Sequence, residues 1–68
     1  MIKITLSKAI NGFIIIGRFE LNASSVVTKT AVFFNINNAV DCFKKLNNVV
    51  NSGMMTIDDF MIICEEYK

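Results

Sequence analysis

Asn11-Gly12 stands between two apolar runs, Ile2–Ile10 and Phe13–Leu21. Asn-Gly is the strongest short-range signal for a β-hairpin, because both residues tolerate the positive φ of a type I′ turn. A two-residue loop at that pair fixes the register. Ile10 faces Phe13, Lys8 faces Ile15, Leu6 faces Gly17, Ile4 faces Phe19 and Ile2 faces Leu21. These pairs share one almost wholly apolar face, since side chains alternate along a strand. Lys3 then lies opposite Glu20 on the other face, a favourable cross-strand pair.

The rest of the chain follows from that hairpin. Ile2, Ile4 and Leu6 alternate with Lys3, Thr5 and Ser7, the period of a half-buried strand. A helix over Ser7–Ile16 is the alternative, but Gly12 would interrupt it and Phe13–Ile16 is a β-favouring cluster. Gly17, inside the second strand, leaves room for a side chain from a helix above. Asn22-Ala23-Ser24-Ser25 reads as a four-residue turn, and Val26–Phe34 as a third strand. That loop length pairs Leu21 with Val26 and Phe13 with Phe34. Val26, Thr28, Thr30, Val32 and Phe34 then point inward, and Val27, Lys29, Ala31 and Phe33 outward. A slip of one residue would exchange Phe33 and Phe34 between faces.

Asn37 or Asn38 suits a helix N-cap, with Asp41 in the first turn and a helix over Ala39–Val50. Its buried stripe is Ala39, Phe43, Leu46 and Val50, widened by Val40, Cys42 and Val49. Gly53 fits a left-handed C-terminal cap. Thr56 and Asp59 form an acidic version of the capping box for a second helix over Ile57–Tyr67. Its expected buried face is Ile57, Phe60, Met61 and Cys64. The chain of 68 residues therefore reads as one α+β domain, residues 1–68. It is a three-stranded antiparallel β-meander followed by two antiparallel helices packed on one face, β-β-β-α-α.

The sequence offers no chemistry for catalysis. It has no histidine, which removes the commonest general base and metal ligand. Its three glycines are scattered and form no phosphate loop, and its serines have no evident base. Cys42 and Cys64 are too few for a disulfide framework and read as reduced, buried helix residues, although one bridge between the helices stays open. Asp58, Asp59, Glu65 and Glu66 form the one carboxylate cluster and read as a solvated helix face. No catalytic residue, cofactor or metal is expected, and no enzyme.

The informative surface is the sheet face turned away from the helices. The expected register places Ile14, Ile16, Val27, Ala31 and Phe33 there, beside Lys3, Arg18, Lys29 and Glu20. A sheet covered on one side ordinarily shows polar residues on the other. The composition is 53% hydrophobic, more than so short a chain can hide. Those residues are therefore the expected protein interface, and the simplest partner is a second copy stacked face to face in a homo-oligomer. Strand addition at a free edge, to another protein, uses the same domain. The competing expectation is a curled sheet or a shifted third strand that buries several of these residues.

Single-stranded nucleic-acid binding is the alternative function, with Phe33 stacking a base and Arg18, Lys29 and Lys3 holding phosphates. A formal charge of +1 is thin support for it. No apolar run is long enough to span a bilayer and no targeting segment is evident, so the expected location is cytoplasmic. A compact, histidine-free chain without motifs fits a small accessory protein of a mobile or phage-like element.

Overall fold

A computed structural model describes residues Met1–Lys68. The elements are β1 (Ile2–Ala9), β2 (Gly12–Asn22), β3 (Ser25–Phe33), α1 (Ile36–Asn51) and α2 (Ile57–Tyr67). The strands form one antiparallel sheet in the order β1-β2-β3, followed by the two helices. This is the β-β-β-α-α meander that the periodicity predicts. No helix is long and apolar enough to cross a membrane.

The first hairpin closes one residue earlier than Asn11-Gly12 implies. Ala9 pairs with Gly12, so the two-residue turn is Ile10-Asn11, and Leu6 pairs with Ile15, Ile4 with Gly17 and Ile2 with Phe19. No residue of this turn takes a positive φ; Gly53 alone does so in the chain, at 80°. Gly12 serves a different need. A Cβ there would strike the carbonyl oxygen of Phe33, so the glycine permits the close passage of β3. The register moves by two residues, which preserves the faces. It does place Lys3 opposite Arg18 rather than Glu20. Arg18 instead bonds Glu20 along its own strand, Nη1 to Oε1 at 2.6 Å.

The second hairpin departs by one residue, and that changes the faces. Asn22 pairs with Ser25, the register expected at the turn. The Asn22 side chain closes the turn, its Oδ1 accepting from the Ser24 amide at 2.9 Å and the Ser24 hydroxyl at 3.1 Å. Beyond it the register shifts between Glu20 and Asn22, so Leu21 has no cross-strand partner. An extra residue on one strand slips the remainder by one. Glu20 now faces Val26, Ile15 faces Ala31 and Phe13 faces Phe33. Val27, Ala31 and Phe33 therefore lie on the helix-covered face, and the outward placement expected for them is corrected. Phe33 is 2% exposed and Phe34 is 81% exposed.

Both helices pack on that inner face. Ile15, Phe19, Ala31 and Phe33 from the sheet meet Ala39, Cys42 and Leu46 of α1 and Phe60, Ile63 and Cys64 of α2. Phe60 stands edge-on to Phe19, with ring centroids 5.7 Å apart and planes at 83°. It occupies the space above Gly17, the role expected of that glycine. α1 begins a turn earlier than predicted. Asn35, not Asn37 or Asn38, is its N-cap, accepting from the amides of Asn37 and Asn38 at 2.8 and 3.3 Å. Asp41 consequently falls outside the first turn, which contains no acidic residue. α2 begins at Ile57 with the Thr56–Asp59 capping box formed in both directions at 3.1 Å. Its buried face takes Ile63 in place of Met61.

Candidate interaction surfaces

The cross-strand pairs define the uncovered face row by row. Ser7, Ile14 and Val32 form one row, then Thr5, Ile16 and Thr30, then Lys3, Arg18 and Thr28. Ile14 and Ile16 are half-buried by their strand neighbours and are absent from the packed core, so the helices do not seal them. Val32, 47% exposed, extends the apolar strip toward Phe34. Of the five residues expected to form the interface, Ile14 and Ile16 hold their place. Val27, Ala31 and Phe33 do not; Val32 and Phe34 take their side of the strand. The sequence signal for this was the extra residue at Leu21. A four-residue turn after Leu21 and a two-residue turn with Leu21 bulged out both fit the polar stretch Asn22–Ser25, and local pattern does not separate them.

The nucleic-acid constellation is not assembled. Lys3 and Arg18 are opposite each other on the outer face, but Lys29 faces Gly17 on the inner side and Phe33 is under the helices. The exposed aromatic at the end of the sheet, Phe34, lies about six strand residues beyond Arg18, roughly 20 Å. A base stacked on it could not bring its own phosphate to that guanidinium.

The edges carry their own features. β1 and β3 flank β2, so each has one free edge. Lys8 on β1 and Lys29 on β3 share the parity of the core residues Ile15 and Phe19 through their cross-strand pairs. Charges pointing inward on edge strands discourage edge-to-edge pairing.

A second apolar surface lies on α2. Met61 is 51% exposed and Ile62 is 59% exposed. At 100° per residue, Ile62 points roughly opposite to Phe60 and hence away from the sheet. Asp58, Glu65 and Glu66 surround the pair, at the i, i+3, i+4 spacing of one helix face. Glu65 meets Lys68 at 3.4 Å, and no basic residue lies within α2 itself. These residues were expected to be core (Met61) and solvated (the carboxylates); together they make a mixed stripe. A separate groove of about 620 Å³ runs between the end of β2 and the start of α2, lined by Ile2, Leu21, Met55 and Ile57 among others.

The two thiols come together inside the helix layer. Cys42 Sγ donates to Cys64 Sγ at 3.9 Å, and both are buried and free. Burial, reinforced by the neighbouring sulfur, pushes Cys42 up to about 12. Burial also raises Cys64, against the opposing effect of the bond it accepts from Cys42. A thiol needs to ionise to attack or to ligate, and the burial of both sulfurs opposes that ionisation. No cluster of three or more histidine, cysteine or carboxylate side chains is placed to hold a metal ion.

No protein-family model, curated protein or solved structure matches this chain.

Proposed function

We propose that this chain is a small non-enzymatic binding domain whose working surface is the uncovered face of the sheet, and that a second copy of the chain occupies it. The observation that carries the reading is the position of Ile14 and Ile16. Two β-branched apolar residues stand at the centre of a face with no helix over it, next to Val32 and framed by Thr5, Thr28 and Thr30. Half-buried Ile14 and Ile16 and the exposed Val32 together leave apolar area at the surface, and such area marks interfaces more often than idle surface. Its action is stoichiometric, by holding, blocking or recruiting a larger assembly. A cytoplasmic location is part of the same proposal, and such a reducing compartment would keep the buried Cys42 and Cys64 unbridged.

The test is the molar mass in solution. Multi-angle light scattering on the wild-type chain should show species larger than the monomer as concentration rises. Ile16→Asp should abolish them while the far-ultraviolet circular dichroism stays unchanged. A wild-type chain that remains monomeric at its highest soluble concentration removes self-association as the function of this face.

A further inference from the structure

We propose that the uncovered sheet face of one copy is covered by the Met61–Ile62 stripe of α2 on the next copy, a head-to-tail contact between two different surfaces of the same chain. The inference rests on the reading of the sheet face given above and names the surface that meets it.

Two of the apolar surfaces that the fold leaves without a partner are of complementary kinds. One is an open sheet face, the other a helix face. A helix laid on a sheet is the arrangement by which this domain already covers the other side of its own sheet. One such contact between copies covers both surfaces at once. A face-to-face stack of two sheets leaves Met61 and Ile62 in water.

Charge favours the same pairing. α2 carries four carboxylates and no base, a charge of −4, while Lys3, Arg18 and Glu20 leave the uncovered sheet face with one net positive charge. On the sheet face Lys3 and Arg18 are directly opposite, a like-charge pair that costs stability across strands. Glu20 bonds Arg18, and Lys3 takes part in no ion pair. An incoming carboxylate finds Lys3 as a cation without an ion-pair partner. The spacing permits it. Ile62 to Glu66 is one helical turn, about 6 Å of rise. Ile16 to Arg18 is two strand residues, about 7 Å. Ile62 seated on Ile16 thus brings Glu66 to the Lys3–Arg18 pair.

The two surfaces face in opposite directions, since Ile62 points away from the sheet and Ile16 points away from the helices. A contact between unlike surfaces on opposite sides does not close into a two-fold dimer; it adds a further copy at each end.

Mixing single-face variants tests this. Ile16→Asp removes the sheet surface and leaves the stripe; Ile62→Asp does the reverse. Each alone should be monomeric by sedimentation velocity. Their equimolar mixture retains one intact surface of each kind and should give a 1:1 heterodimer and nothing larger. Val32→Lys, at an exposed position of the same face, replaces Ile16→Asp if circular dichroism shows that the latter unfolds. If Ile62→Asp alone still dimerises, the stripe is not the occupant; the inference fails and the sheet-face reading stands. If both variants are monomeric and the mixture is too, the head-to-tail contact is excluded. A monomeric wild type overturns the inference and the reading beneath it.

Discussion

Gly12 and Gly17 show how a single missing carbon sets the geometry of this domain. At Gly12 a Cβ would run into the backbone oxygen of Phe33, which has no side-chain rotation by which to yield. At Gly17 it would meet the rings of Phe60 at 2.8 Å and Phe19 at 2.9 Å. Both Gly→Ala variants should lose stability on the scale of overpacked cores, about 1–3 kcal/mol. Gly12→Ala should lose the more, and urea denaturation midpoints measure both. Cys42 and Cys64 make a pH prediction. Their folded values lie above the unfolded ones, so the folded state keeps protons that the unfolded chain has released. Their contribution is complete below about pH 9 and is lost as the pH climbs toward 12. Thermal melts across that window should show falling stability, with less fall in Cys42→Ala once its lower baseline is subtracted. At pH 7.5 iodoacetamide should leave both thiols unmodified in the native chain and label both in urea.

Among the elements, β3 carries the most information per residue displaced. The unpaired Leu21 turns the strand over, exchanging an inward Val32 and Phe34 for Ala31 and Phe33. Neighbouring positions therefore have opposite expected sensitivities. Phe33→Ala should cost about 3–5 kcal/mol, the range for a buried aromatic. Val32→Lys should stay within about 0.5 kcal/mol, as surface changes do. Equilibrium unfolding of the two proteins decides the register; equal losses would contradict it. The helices depend less on tertiary context, because Asn35 and Thr56 satisfy free amides of the first turns locally.

For the molecule as a whole, the distribution of charge matters more than its sum. A net +1 conceals an acidic helix on a basic body. Head-to-tail association of such chains should weaken as salt rises, because the screening length falls from about 10 Å at 0.1 M to about 3 Å at 1 M. Sedimentation at 0.1 and 1 M sodium chloride reads this directly. A contact made of apolar side chains alone would hold or strengthen over the same range.

What the sequence by itself determined is most of what near neighbours govern: strand and helix identity, the Thr56–Asp59 cap, the left-handed Gly53, and the outward position of Ile14 and Ile16, the N-cap of α1 at Asn35 being the exception. These follow from side-chain period and from residues within one turn of each other. The location of both hairpin turns, the bulge at Leu21 and the face shown by β3 were decided only by the tertiary structure. Several turns fit the same polar residues. Choosing among them depends on whether Phe33 or Phe34 fills the space beneath the helices, and whether the chain at Gly12 can pass Phe33, and those contacts exist only once the layers meet.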